Sequence, residues 1–144
     1  MKKLLLLLIL ILISNITFAL PITLKEYMAK NSAWSSSDKA LLSHITNRCG
    51  VMFGVMSEYY KTLDEGNIYE ITLEHSLNFS KVSSEAYEEI GGETKAFQKR
   101  AREWAKIYDD AGIKNISDHG VFSHGDIKSD VSTCMDYLNS NILK

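Results

Sequence analysis

LLSHITNRCGVMFGVMSEYYKTL, residues 41–63, is the stretch on which the fold turns. Leu41, Ile45, Cys49, Met52, Met56, Tyr59 and Leu63 recur every three or four residues, the spacing that lines one face of a long helix with apolar side chains. Gly50 and Gly54 stand one turn apart within it. Each costs a helix about 1 kcal/mol relative to alanine, so the pair asks for a reason. Close approach of the last helix, which a bond between Cys49 and Cys134 requires, is that reason. The membrane reading of G-x-x-x-G has no membrane span to support it.

The pattern extends outward as further helices. Thr23 and Glu26 have the spacing of a capping box and open a short helix ending near Lys30. Asn31 to Ser37 reads as a polar connection, with Ser35, Ser36 or Ser37 capping the long helix. Asp64-Glu65-Gly66-Asn67 has turn chemistry. A third helix then runs from Ile68 or Thr72 to Ile90 and buries Leu73, Leu77, Val82, Ala86 and Ile90. Gly91-Gly92 ends it, and Glu93 to Ala111 restarts with Phe97, Ala101, Trp104, Tyr108 and Ala111 on one stripe. A long connection, Gly112 to Gly125, leads to a last helix from Asp126 or Ile127 to about Asn141, with Ile127, Val131, Cys134 and Leu138 on one side. Only Val121-Phe122 hints at a strand. Four long helices with one apolar stripe each can bury those stripes only against one another. The expected fold is therefore all-α, an antiparallel bundle of four long helices plus a short N-terminal helix.

Cys49 and Cys134 test that arrangement. A pair of cysteines in an oxidising compartment reads as one disulfide, which here requires the second and last helices to lie side by side with Cα atoms about 5 to 6 Å apart. Closing a loop of 85 residues stabilises a fold by roughly 4 to 5 kcal/mol on the chain-entropy model. A redox-active pair would more naturally be C-x-x-C, and a metal site would need further thiols or nearby histidines. Around the Gly-Gly turn, Glu85, Glu88 and Glu89 precede Lys95, Lys99, Arg100 and Arg102. An antiparallel hairpin sets these opposite charges against each other. The alternative, that KAFQKRAREWAK is a face for RNA or acidic membrane, is weakened by Glu103 within it and by aromatic spacing that fits a core.

Residues 1–19 read as a secretory signal: Lys2 and Lys3, then ten consecutive Leu and Ile, then Thr17-Phe18-Ala19 before a cut after Ala19. A retained anchor would need about 20 predominantly apolar residues, and Ser14 and Asn15 interrupt this run. Residues 20–144 are then expected to form one helical domain, exported to the periplasm or the exterior without a stable membrane anchor. Loss of Lys2 and Lys3 leaves 14 basic against 18 acidic side chains, a balance that argues against nucleic-acid partners. Asn78 and Asn115 head Asn-x-Ser sequons, which matter only in a eukaryotic secretory pathway.

The densest candidate chemistry is DHGVFSHGD, residues 118–126. Asp118, His119, His124 and Asp126 nominally provide the three ligands of a catalytic zinc. A His-x4-His spacing in a connection does not place two imidazoles on one face as His-x3-His on a helix does, and the motif holds no Glu to act as base. The bland reading is that Gly120 and Gly125 reverse the chain, Val121 and Phe122 fold back as a plug, and Ser123 or Asp126 caps the last helix. Asp109 and Asp110, placed in the last turn of the fourth helix where the helix dipole disfavours them, could join Asp118 and His119 around a cation. His44, His75, Met52 and Met56 raise haem, but no C-x-x-C-H is present and Met at helical spacing is usually core filler. No cofactor is expected. With no nucleophile set beside a base, the expected function is non-catalytic binding of a protein or small ligand in the cell envelope or outside it. An inhibitor, an immunity-type factor or an accessory subunit would fit. The alternative is a metal-binding protein or metal-dependent enzyme using the Asp118–Asp126 stretch.

Overall fold

The computed structural model describes residues 20–31, 38–63 and 65–140. It is all-helical, with helices packed on one another and one disulfide. The elements are α1 (Leu24–Lys30), α2 (Lys39–Thr62), α3 (Gly66–Glu89), α4 (Thr94–His119) and α5 (Gly125–Asn139). The helix α2 is the hub: α3, α4 and α5 all pack against it, and α1 lies on α5. The signal-like residues 1–19 lie outside the described residues. Among the described residues no helix is long and apolar enough to cross a membrane.

The first helix starts as its spacing predicts. Thr23 Oγ1 accepts from the Glu26 amide at 3.2 Å, and the Glu26 carboxylate accepts from the Thr23 amide at 2.9 Å. The cap of α2 is a correction. Asp38, not a serine of 35–37, accepts from the amides of Ala40 at 2.9 Å and Leu41 at 3.1 Å. A carboxylate suits the positive end of the helix, and the three serines lie outside the described residues. Along α2, Ile45, Cys49, Met52 and Met56 are buried, and Leu41 and Tyr59 pack against them half-buried. Leu63, just past the helix end, is 47% exposed.

In α3 the buried face differs from the expected one. The helix begins at Gly66 rather than at Ile68 or Thr72, because Gly and Asn in a solvated first turn do not break it. Its inward residues are Thr72, Phe79, Ser83 and Ala86; Leu73 and Val82 are only half-buried, Ile90 is exposed and Leu77 is 62% exposed. Gly50 and Gly54 explain the shift, and they correct an expectation: they face Ser80 and Ser76 of α3, not the last helix that carries Cys134. They let the α2 and α3 backbones approach closely at Ser76 and Ser80, while the Phe53 and Phe79 rings stack beside the glycines with centroids 5.9 Å apart. A β-carbon at Gly50 would stand 2.8 Å from Ser80 Oγ and 3.1 Å from the Ser80 amide nitrogen. The hydroxyls at this interface bond the opposite backbone: Ser76 to the Gly50 carbonyl at 2.8 Å, Ser83 to the Ser43 carbonyl at 2.7 Å, and Ser43 to the Ser83 carbonyl at 3.1 Å. Each such bond contributes about 0.5 to 1.5 kcal/mol.

The fourth helix corrects the longest error of the sequence reading. It does not stop at Ala111 but continues two turns to His119, so the connection shrinks to Gly120–His124. Gly112 reads as a stop, yet it is helical and buried because the Phe122 ring lies on it, where a β-carbon would collide with the ring. Asp109 and Asp110 are therefore interior to the helix and break no dipole rule. Asp110 pairs with Lys106 at 3.0 Å. The helix ends on Gly120 at φ 73°, in the left-handed region that glycine enters without cost. Phe122 is the buried plug that the sequence suggests, Val121 is exposed, and neither is a strand. The last helix starts at Gly125 with no side-chain cap, so neither Ser123 nor Asp126 plays that role; it ends at Asn139, short of Asn141, which lies outside the described residues.

Cys49 and Cys134 are bonded, with Cα atoms 5.7 Å apart, which joins α2 to α5 as expected. The charge pairing expected across the Gly-Gly turn is not found among the described residues. Glu89 pairs with Lys39 at 3.0 Å, Lys99 lies 3.9 Å from Glu103 on its own helix, and Arg100 sits 4.8 Å over the Tyr87 ring, which also meets Phe97 at 5.3 Å. Exposed charges gain little from pairing, and the aromatic contact takes their place.

The glycine interface is testable by paired substitutions. Gly50→Ala should lower stability by about 1 to 3 kcal/mol despite alanine's higher helix propensity, because the β-carbon meets α3 backbone. Gly66→Ala, with nothing within 4 Å of its added carbon, should be neutral or stabilising. Urea denaturation of both variants checks the contrast, and equal effects would refute the close-packing account.

Candidate functional site

Two of the four candidate ligands are brought together. His119 closes α4 and His124 precedes α5, and their rings stack with centroids 3.8 Å apart. Asp118 turns instead to Lys114, whose amine donates at 2.6 Å and holds the carboxyl below its usual range. Asp126 sits in the first turn of α5. Imidazole coordinates through a lone pair in its ring plane, so two stacked rings must turn before they converge on one ion. Among the described residues no three His, Cys, Asp or Glu side chains form a group able to hold a metal. What pins the connection is Asn115, whose amide donates to the carbonyls of Phe122 at 2.9 Å and His124 at 3.1 Å.

The principal polar cluster went unnoticed in the sequence. Arg48 and Asp130 are both fully buried and joined at 2.7 Å. Arg48 also donates to the Ile22 carbonyl at 3.0 Å and to the Tyr108 hydroxyl at 3.2 and 3.3 Å, and its guanidinium lies 3.9 Å over the Trp104 ring. Asp130 accepts from the Leu24 amide at 2.6 Å and from the Tyr108 hydroxyl. Burial raises the Asp130 pKa, opposed by the bond from Tyr108, the charge of Arg48 and the Leu24 amide. Burial also pushes the Tyr108 phenol far up, so it stays protonated and donates. A signal was available: Arg48 adjoins Cys49, and Asp130 lies one turn before Cys134 on the same inward face.

Beside this cluster, His44 stacks on Tyr27 at 4.2 Å and meets the Trp104 edge at 6.2 Å. Burial first, and then the charges of Arg48 and Arg100, push its pKa down to about 4. Its Nε2 is buried with no partner among the described residues, and the ring lines a small cavity of about 50 Å³ with Ser43, Asn47 and Arg100. His75 packs edge-on against Phe53 at 5.2 Å, and Met52 and Met56 are core filler.

A wider groove opens between α2 and α4, with a volume of about 560 Å³. Val55, Tyr59, Ile116 and Phe122 form its floor, Ile113 stands in it 58% exposed, and Glu58, Asp109 and Asp110 stand around it. Sequence reasoning missed it because Ile113 and Ile116 were assigned to a loop. The helical signal is that Ile113 and Ile116 are three apart and Ile116 lies eight residues, about two turns, beyond Tyr108. A second groove of about 600 Å³, between α1 and α5, is more polar and includes Lys25, Lys128, Ser129 and Thr133.

The neutral, half-buried state of His44 makes stability depend on pH. Its folded pKa lies below the unfolded value of about 6.5, so the unfolded chain takes up the proton first. Its contribution is intact above pH about 6.5 and is lost as pH falls towards about 4. In His44→Gln, urea denaturation across that window should show a shallower loss than the natural chain. An unchanged slope would contradict the assignment. Compared with protein-family models, curated proteins and solved structures, the chain gives no match.

Proposed function

We propose that the chain is exported and acts by binding a protein or small ligand in the cell envelope or outside it, as an inhibitor, an immunity-type factor or an accessory subunit. Export rests on the lysine-led apolar run and Thr17-Phe18-Ala19 of residues 1–19, with the cystine in keeping with an oxidising compartment. The observation that carries binding is the apolar groove between α2 and α4, on a scaffold whose buried charges are tied into one another. Arg48, Tyr108 and Asp130 are enclosed, and so serve the fold rather than a substrate. An open groove of this size, floored by aliphatic and aromatic side chains, is the usual form of a binding site.

One observation favours the metal alternative, the approach of His119 and His124. Metal analysis of the natively exported protein, beside the double variant His119→Ala/His124→Ala, separates the readings. The binding reading expects no stoichiometric zinc or copper and the same thermal midpoint with and without chelator. A stoichiometric ion that is lost with the two histidines, together with a chelator-sensitive midpoint, would overturn it, because a metal that binds only the folded state adds to stability.

A further inference from the structure

The groove between α2 and α4 combines an apolar floor with one sign of charge at its edge. Three carboxylates, Glu58, Asp109 and Asp110, stand around it with a single amine, Lys106. That amine is engaged by Asp110 at 3.0 Å, and Glu58 and Asp109 make no ion pair among the described residues. Ile113 stands exposed in the same groove, one turn beyond Asp109 on α4. We propose that this groove docks a basic segment of a partner protein, in which an aliphatic or aromatic side chain enters between Tyr59, Ile113 and Phe122 and flanking Lys or Arg residues meet Glu58 and Asp109.

The proposal rests on the binding function put forward above and adds the chemistry of the partner. The charge decides among occupants. A second copy seated by the same groove would set carboxylates against carboxylates, which disfavours self-docking. An anionic membrane surface meets the same repulsion. A neutral apolar ligand would leave the carboxylates unanswered, whereas a basic segment uses both features of the groove. Exposed pairs of this kind add modest affinity and, more strongly, select the partner by sign.

Two synthetic amphipathic peptides of equal apolar content, one flanked by lysines and one by glutamates, test this on the full disulfide-bonded protein by calorimetry and NMR. The lysine peptide should bind and shift the resonances of Val55, Tyr59, Ile113 and Ile116. The glutamate peptide should not bind. Glu58→Gln/Asp109→Asn should weaken the lysine peptide about three- to tenfold, and Ile113→Asp at least about tenfold, through loss of a buried apolar anchor. These side chains are exposed, and a retained circular dichroism spectrum and melting midpoint verify folding. Equal binding of both peptides, undiminished binding to the variants, no binding of either peptide, or self-association abolished by Ile113→Asp would each overturn the proposal. The native partner, captured from the exported fraction, separates this failure from that of the parent reading. A partner held equally by the natural chain and Ile113→Asp leaves binding standing and removes the groove as its site; no partner and no peptide binding removes both.

Discussion

The rest of the structure depends on the buried pair of Arg48 and Asp130. Four helices meet at it: α2 supplies the guanidinium, α5 the carboxylate, α4 the Tyr108 hydroxyl and the Trp104 ring, and the start of α1 the Leu24 amide and, just before it, the Ile22 carbonyl. Taking two charges out of water costs several kcal/mol each, and their attraction returns this only when the remaining donors and acceptors are met. Here the carboxylate has three donors, while Arg48 Nη1 has no hydrogen-bond partner among the described residues. Such a pair adds little net stability over an apolar replacement. Removing one partner is another matter, costing about 3 to 5 kcal/mol, so the pair penalises any arrangement that separates these helices.

Each neighbour of α2 is held by different chemistry. Toward α5 the contact is covalent and ionic, through Cys49–Cys134 and Arg48–Asp130. Toward α3 it joins small, hydroxylic contacts, with Gly50 and Gly54 facing Ser80 and Ser76, to the stacked rings of Phe53 and Phe79. Toward α4 it is aromatic, through Trp104 and Tyr108, with Phe122 closing the far end against Gly112 and 5.3 Å from Tyr59. At that far end the α2–α4 contact opens into the groove.

Much of this was legible in the sequence where one local rule dominates. The Thr23–Glu26 capping box and the Cys49–Cys134 adjacency follow from spacing; Gly50 and Gly54 do signal a close approach, but of α3 and not of the last helix, because spacing says nothing about which neighbour takes the open side. The errors arise where a residue has two uses. Gly112 signals a helix end, but it also admits an aromatic ring, and the ring's position is a tertiary fact. Leucine signals burial, yet α3 turns serines inward because the glycines of α2 set the distance. His119 and His124 were noticed for their chemistry, and the fold does bring them together. The residues that hold the fold, Arg48 and Asp130, were passed over because charged side chains inside a core are rare. The groove needed the full length of α4 before its floor existed at all.

The claim that this pair organises the fold bears directly on α1. Seven residues are too few for a helix to persist alone, since isolated helices shorter than about 12 to 15 residues are marginal in water, and first-turn amides lack intrahelical partners. The Leu24 amide nevertheless has a buried carboxylate as acceptor. Native-state hydrogen exchange at that amide is the most direct measurement. The account predicts that Leu24 exchanges as slowly as Met52 in the middle of α2, and that Asp130→Asn accelerates it by far more than it accelerates Met52. Exchange of Leu24 in the natural protein as fast as that of an exposed helix start would contradict the central role given to Arg48 and Asp130.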